Sequence, residues 1–491
     1  MQKLKDILYN VSILDLIGST DLSIDSIAFD SRKVIENTLF IAQKGVQTDG
    51  HLFIGKALEL GAVAIMCEEF PENLSKKVTY IKVPNCQAAL SMVAANFYDN
   101  PSKKIVLIGI TGTNGKTTLA SLSHALFQKG GFPSGLLSTV QIKIGHETYP
   151  ATHTTPDALT INKYLSEMVD AGITHCFMEV SSHGIHQKRT ESLHFSGAVF
   201  TNLTHDHLDY HKSFAEYRDV KKSLFDSLPN SAFALVNKDD KNGMQMLQNT
   251  KAKKKTYALK TGADYKARII ENRLEGLLLQ IDGLEVWSKL IGKFNAYNLL
   301  AIYGIANQLG LEKMEILQII SQLDSVTGRF QYFISDDGIN LIVDYAHTPD
   351  ALKNVLETIN DIRTNNETLI TVVGCGGDRD KTKRPKMAHI ASQLSNQSIF
   401  TSDNPRSEDP QTIIGEMEAG VAAENYKKTL SILDRKQAIR SAIKLAKKGD
   451  IVLIAGKGHE TYQEIKGKRI DFDDYKIALE LLNKLQITNR K

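Results

Sequence analysis

The sequence predicts an α/β fold in three domains built on mostly parallel sheets, and three observations carry that reading. Short apolar runs of strand length alternate with amphipathic helical patterns along nearly the whole chain. The run IVLIGI at residues 105–110 passes at once through a Gly/Thr loop into a long helical pattern. The 491 residues exceed what one ordinary core holds, since domains usually span about 100 to 200 residues.

In chain order, residues 1–100 carry the runs SIDSIAFDSR, TLFIAQKG, AVAIMCEE and VTYIKVP, which read as a small N-terminal α/β domain. A second domain, 101–331, opens after Asn100 and Pro101 with IVLIGI and a helix from Thr117 to about Lys129. Its further strand candidates, CFMEV, AVFTNL and ALVN, are separated by helical stretches, as in a mostly parallel sheet flanked by helices. The third domain, 332–491, repeats the alternation with LIVDYA, LITVVG, SIFTSD and IVLIAG around helices such as DALKNVLETIND, a Rossmann-like doubly wound unit. Ligands of such open sheets bind beyond the carboxyl ends of the strands, so the polar residues after each apolar run are the ones to inspect.

Composition narrows the class. With 42% hydrophobic and 23% charged residues the chain is globular, and 59 basic residues interspersed with 56 acidic ones leave a formal charge of only +3. No field selects nucleic acid or membrane, and no partner of either kind is expected. The four lysines among Lys251–Lys255 read as a solvated surface turn. Cys67, Cys86, Cys176 and Cys375 stand far apart without CxxC spacing, mostly in strand-like runs, as reduced core residues do. The start MQKLKDILYN lacks the continuous apolar region of a signal peptide, and no apolar stretch reaches about 18 residues. A cytoplasmic monomer is expected.

The segment IVLIGITGTNGKTT places Gly109, Gly112 and Gly115 between a buried strand and a helix that begins at Lys116 and Thr117. Such a P-loop-type turn lets the backbone N–H groups of Gly112, Thr113, Asn114, Gly115 and Thr118 converge on phosphate oxygens. Lys116 can neutralise phosphate charge there, and the Thr117 hydroxyl can ligate Mg²⁺. The pattern GxxxxGK[ST] is not met literally, because Ile110 stands where its first glycine would. ATP or another nucleoside triphosphate is the expected ligand.

Glu179 ends the strand-like CFME, and the following AVFTN leads into LTHDHLDYH with His205, His207 and His211. A glutamate at a strand end near a phosphate loop suits a metal that bridges ATP oxygens. His207 is a candidate second ligand, although an imidazole beside Mg²⁺ is unusual on hard-ligand grounds; a surface loop is the other reading. Zinc is disfavoured because no cysteine accompanies the histidines. Lys221, fourteen residues after His207, reads with Lys222 as a solvated helix residue from spacing alone.

Taken together, GITGTNGKTT, MEVSSHG, TNLTHDHLDYH, GKFNAYN, VDYAHTPDAL and AGKGHE resemble the Mur ligase family of peptidoglycan precursor synthesis, in the family's order from about residue 20 to residue 470. The family shares its central fold with folylpolyglutamate synthase. The resemblance implies domains that bind a UDP-sugar, ATP and an incoming amino acid in that order. Within the family the chain is most similar to the branch that extends UDP-N-acetylmuramoyl-L-alanyl-D-glutamate by a third residue. It further implies Lys116, Glu179, His207 and a carbamylated Lys221 as catalytic, with Thr117, Glu179 and His207 at the metal. Asn295, Asn298, Arg329, Asp344 and His347 complete the ATP site. Phe29, Ser31, Val46, Gln47 and Thr48 meet the UDP end, and His153, Thr154, Thr155, Ser181, Gln187 and Arg189 hold the muramoyl dipeptide.

In SDNPRSEDP the family marks use of meso-diaminopimelate by Asp403, Asn404, Pro405 and Arg406, where lysine-adding relatives lack the arginine. A guanidinium can grip the second carboxylate that distinguishes diaminopimelate from lysine. Arg379, Gly456 and Glu460 match the remaining amino-acid positions, Glu460 for the distal ammonium. The implied reaction forms an acyl phosphate from the D-glutamyl γ-carboxylate and ATP, which the amine then displaces. The competing readings are the lysine-adding relative, a folylpolyglutamate-type ligase, disfavoured by the extra N-terminal domain with DSR, and an ATP-dependent switch that makes no product.

Overall fold

The computed structural model describes residues 2–45, 48–151, 153–204, 206, 210–364 and 366–489, the last six of these by backbone alone. The chain is mixed α/β and divides into two compact units. One comprises 1–112, 119–202 and 215–256; the other comprises 113–118, 203–214 and 257–491.

The N-terminal part of the first unit holds a five-stranded sheet of β1 (Asp15–Ile17), β2 (Ser26–Ala28), β3 (Thr38–Ile41), β4 (Ala62–Cys67) and β5 (Thr79–Lys82), ordered β1-β5-β4-β3-β2. Both faces are covered, so the strands read as apolar runs rather than alternations. Leu39, Ile41, Ala64, Met66 and Ile81 pack under helix α1 (Cys86–Phe97), while Phe40, Ile65, Cys67 and Tyr80 form the opposite core.

The same unit holds β6 (Val106–Thr111), α2 (Lys116–Lys129), β7 (Ser134–Leu137), β8 (Gln141–Ile144), β9 (Glu147–Pro150), α3 (Ala158–Asp170), β10 (His175–Glu179), β11 (Gly197–Phe200), α4 (Phe214–Asp226), β12 (Phe233–Asn237) and β13 (Lys253–Ala258). Only the first turn of α2, the first residue of α4 and the last two of β13 fall in the other unit. The strand order is β9-β8-β7-β10-β6-β11-β12-β13, parallel from β7 to β12 and antiparallel at β8 and β9. Register decides what gathers at the carboxyl end. Glu179 of β10 pairs with Ile110 of β6, and Phe200 of β11 with Thr111, so the residues after three adjacent strands emerge level with one another.

Two expectations are corrected here. The Lys251–Lys255 segment is not a turn: Lys253 begins β13, and only its first side chains stay in solvent. Lys221 and Lys222 are not solvated, because α4 turns both inward; the first is 1% exposed and the second 9%.

In the second unit β14 (Tyr265–Arg273), β15 (Gly276–Ile281) and β16 (Leu284–Ser288) form an antiparallel meander against α5 (Lys293–Gln308) and α6 (Lys313–Ile320). Then follow β17 (Gln331–Ile334), β18 (Asn340–Asp344), α7 (Pro349–Ile362), β19 (Leu369–Cys375), α8 (Lys383–Leu394), β20 (Gln397–Ser402), α9 (Pro410–Glu418), β21 (Thr429–Ser431), α10 (Arg435–Leu445), β22 (Ile451–Ala455) and α11 (Asp474–Asn489). The sheet order is β17-β18-β22-β19-β20-β21, parallel except at β17. Alternate residues of its central strands face opposite helix layers: Ile342, Leu369, Val373 and Leu453 toward α7, α8 and α9, and Leu341, Ile370, Val372 and Ile454 toward α10 and α11. All four cysteines are free and buried, and burial pushes the Cys67 thiol up to about 11 and the Cys375 thiol up to about 12.

Candidate active site

The loop after β6 is built as the sequence predicts, with α2 starting at Lys116. Gly112 stands at φ +152°, and a Cβ there would lie 1.9 Å from Thr201 Oγ1, so close approach of two strand ends requires glycine. The Gly112 carbonyl accepts from Lys221 Nζ at 2.9 Å, and that nitrogen also lies 4.8 Å from the centre of the Tyr217 ring. A single helix residue thus reaches the loop from beneath.

Farther along the loop, Thr113 Oγ1 accepts from the Thr204 amide at 3.0 Å, and Lys116 Nζ donates to the Thr113 carbonyl at 2.7 Å. Asn114 Nδ2 donates to Asp350 Oδ2 at 3.0 Å, and Arg329 Nη2 donates to Thr117 Oγ1 at 3.2 Å. Gly115 has φ +85°, and Thr118 is buried in the first turn of α2. The Arg329 guanidinium lies 4.3 Å over the Tyr345 ring, whose other neighbours are His347 and His459 at 4.5 and 4.9 Å. Asp344 takes the Phe330 and Ala346 amides on its two oxygens at 2.7 and 2.8 Å; burial raises its pKa, and Arg329 opposes the rise. His347 Nδ1 bonds the Tyr345 carbonyl at 2.8 Å. Asn295 and Asn298 are buried at the start of α5, with Asn298 donating to Asn295 at 3.1 Å.

Glu179, wholly buried, receives the Thr139 amide at 2.7 Å and the Thr139 hydroxyl at 3.2 Å. Thr139 Oγ1 also meets Thr154 Oγ1 at 3.1 Å. Thr155 Oγ1 donates to the Glu179 carbonyl and accepts from the Ser181 amide, both at 2.9 Å, while Arg189 Nη1 donates to the Thr155 carbonyl at 2.6 Å. Gln187 Oε1 receives Arg189 Nε and Nη2 at 3.1 and 2.6 Å. Five predicted residues therefore form one hydrogen-bonded cluster around Glu179. Thr139 belongs to it and was not predicted; only its place two residues after β7 could have pointed to it. His153 is exposed beside this cluster in sequence.

Phe29, Ser31 and Thr48 occupy loops of the N-terminal sheet. Ser31 opens a short 3₁₀ turn capped by Asp30, whose carboxyl the Arg32 side chain holds down to about 2, and the Thr48 carbonyl accepts the Gly45 amide at 2.9 Å. Val46, Gln47 and His207 lie outside the described residues.

The loop after β20 holds Asp403, Asn404, Pro405 and Arg406, and it meets the segment after β22. Asn404 Nδ2 donates to Glu460 Oε2 at 2.7 Å, and a Cβ at Gly456, which has φ +114°, would lie 2.7 Å from Asp403 Oδ2. Lys457, absent from the predicted set, sits between them with no exposed surface. Arg406 has φ +51°, a conformation held by its amide on the Glu464 carbonyl at 3.0 Å and its carbonyl under the Lys466 amide at 2.7 Å. Its Nη1 donates to the Gly377 carbonyl at 2.7 Å, and Nε lies 3.9 Å from Glu464. Arg379 is exposed and makes no hydrogen bond or ion pair among the described residues. The loop before it is anchored by buried Arg384, which grips Glu408 with two bonds at 2.8 and 2.9 Å and holds that carboxyl down to about 2.

Three segments of the chain match family descriptions: residues 23–98 the Mur ligase family catalytic domain, 110–306 the Mur ligase middle domain, and 328–458 the Mur ligase glutamate ligase domain. The UDP-N-acetylmuramoyl-L-alanyl-D-glutamate–2,6-diaminopimelate ligase of Cytophaga hutchinsonii is 54% identical over 98% of this chain and 99% of its own length. The enzyme of the same name from Bacteroides fragilis is 50% identical over 98% and 99%. A solved structure of a ligase with that name superposes with a TM-score of 0.71 at 33% identity, covering 99% of both chains. The motifs, the parallel sheets that present them and this near-full-length likeness agree: the chain belongs to the Mur ligase family.

Proposed function

We propose that this chain is an ATP-dependent ligase that joins meso-diaminopimelate to the D-glutamate of UDP-N-acetylmuramoyl-L-alanyl-D-glutamate, as a cytoplasmic monomer serving peptidoglycan precursor synthesis. One observation carries the choice of amino acid: the corner after β20 and β22 offers both a guanidinium, Arg406, and a carboxylate, Glu460. Diaminopimelate ends in a carboxylate and an ammonium on the same carbon, and this pair of charges complements both. Lysine has no second carboxylate for Arg406 to meet. Residues 1–100 bind the UDP-sugar in this reading, 101–331 the ATP and 332–491 the amino acid. Among the described residues no helix is long and apolar enough to cross a membrane.

The Glu179 carboxylate and the Thr117 hydroxyl are hard oxygen donors of the kind Mg²⁺ takes. Thr117, Glu179 and His207 are the residues that would hold the ion, which when bound would supply charge neutralisation for the phosphates. The chain's own groups do the rest. Lys116 and the loop amides bind the transferring phosphoryl group, and Arg329 fixes the Thr117 hydroxyl. The Thr155–Arg189 cluster orients the dipeptide, so a γ-carboxylate oxygen bonds to the γ-phosphorus of ATP as the bond to the β-phosphate oxygen breaks. The amine of diaminopimelate then bonds to the acyl carbon, phosphate leaves, and the amine gives up a proton. Lys221, buried against Gly112, carries a carbamate that bears the negative charge at this position, and Asn295, Asn298, Asp344 and His347 complete the nucleotide site.

The test is ADP release from ATP with the UDP-dipeptide and, separately, diaminopimelate, lysine or no amino acid. Release that depends on diaminopimelate is expected. Equal release without amino acid indicates a switch, and preference for lysine removes the specificity claim.

A further inference from the structure

Lys457 is the least expected charge in the amino-acid corner, because an ammonium with no exposed surface persists only when paired and hydrogen-bonded. Its Nζ donates to Asn404 Oδ1 at 3.0 Å and to Glu460 Oε2 at 2.9 Å, with Asp403 Oδ1 at 3.8 Å. These contacts settle which way Asn404 points. Its Oδ1 accepts from Lys457 and from the Glu464 amide at 2.9 Å, so its Nδ2 must face Glu460, to which it donates at 2.7 Å. Glu460 Oε2 therefore receives two donors. Oε1 accepts no hydrogen bond among the described residues, and 17% of the Glu460 side chain remains exposed. The carboxylate is pinned by one oxygen and presents the other.

We infer that Lys457 is a positioning residue for the incoming amino acid, acting through Asn404 and Glu460 to aim Glu460 Oε1 at the ammonium of the substrate. The inference rests on the function proposed above and deepens it. Without Lys457, Asn404 Oδ1 keeps only the Glu464 amide, and Glu460 Oε2 loses its charged donor and keeps only Asn404 Nδ2, so the carboxylate can turn away from the substrate. A lysine serving only to hold the strand-end loop would instead weaken every ligand together with the fold.

The experiment is steady-state kinetics of Lys457→Met, Glu460→Gln and the double variant, with KM measured separately for diaminopimelate, ATP and the UDP-dipeptide. Loss of a charge-assisted pin predicts a rise in KM for diaminopimelate on the order of tenfold to a hundredfold in Lys457→Met. The other two KM values should stay within about twofold of wild type, and in the Glu460→Gln background the added Met should change KM for diaminopimelate by less than about twofold, because the group it acts through is already altered. Additive effects in the double variant, an unchanged KM in Lys457→Met, or an equal rise in all three KM values overturn the inference. Should Lys457→Met alone fail to fold, the comparison of Glu460→Gln with the double variant decides, since that background carries no unpinned Glu460 carboxylate. Wild-type enzyme that does not turn over diaminopimelate would reject the proposed function itself, an outcome distinct from all of these.

Discussion

Replacing Arg406 by glutamine tests the basis of amino-acid choice with little disturbance to the loop. The backbone at this position has φ +51° and is held on both sides by main-chain bonds to Glu464 and Lys466, which glutamine retains. Arg406 Nη1 is engaged by the Gly377 carbonyl at 2.7 Å, and Nη2 makes no hydrogen bond among the described residues, so a substrate carboxylate has that nitrogen and part of Nε to meet. A hydrogen bond to a charged group contributes about 1.5–3 kcal/mol, and each 1.4 kcal/mol is about tenfold. Losing one such bond should lower kcat/KM for diaminopimelate by about 10- to 150-fold; two would exceed that. For lysine, which has no second carboxylate, kcat/KM should change by less than about threefold. The assay is ADP release at saturating ATP and UDP-dipeptide with each amino acid varied. An equal fall for both amino acids would refute the reasoning, because it would make Arg406 a support of the loop rather than a reader of the substrate.

Gly112→Ala should abolish ATP turnover while leaving the chain folded or mildly destabilised, since its Cβ would meet Thr201 Oγ1 at 1.9 Å; nucleotide affinity by calorimetry and a melting curve check the two parts. Lys221→Ala should remove activity, and high bicarbonate should not restore it; full activity in that variant would sink the role assigned to this residue. His124 is buried with Nδ1 on Ser134 Oγ at 2.9 Å, and burial holds its pKa down to about 4. The unfolded chain therefore binds the extra proton first, near pH 6.5, and stability falls as pH drops from there to about 4, by up to about 1.4 kcal/mol per unit. Urea midpoints should show this slope lessened in His124→Gln, and identical slopes would contradict it. Asp474→Asn leaves the fully buried Arg435 short of a partner it grips at 2.7 and 2.8 Å, and should cost about 3–5 kcal/mol in the urea unfolding free energy.

What was legible in the sequence was whatever chemistry is local. The phosphate loop declares itself because glycines, Lys116 and Thr117 must be neighbours in sequence to surround a phosphate, and the apolar runs of β6, β10, β19 and β22 are long enough to mark buried parallel strands. The meander of β14–β16 was less visible, although Asp282 and Gly283, both at positive φ, form a hairpin turn of the favoured Asp-Gly kind. Burial of lysines was not legible at all. Lys221 and Lys457 look like any solvated lysine until the sheet ends place Gly112 beside one and Asn404 and Glu460 around the other. Thr139 escaped notice for the same reason: its role depends on β7 lying beside β10, a neighbour relation that the order of strands along the chain does not give.

The central claim is that the chain activates a carboxylate as an acyl phosphate, and the most direct measurement follows oxygen. UDP-N-acetylmuramoyl-L-alanyl-D-glutamate carrying ¹⁸O in its γ-carboxylate is incubated with ATP, Mg²⁺ and diaminopimelate, and the released phosphate is analysed by mass spectrometry. Transfer of one labelled oxygen to each phosphate, in step with amide product, is predicted. Phosphate without label would mean that ATP is hydrolysed by water and that no acyl phosphate forms.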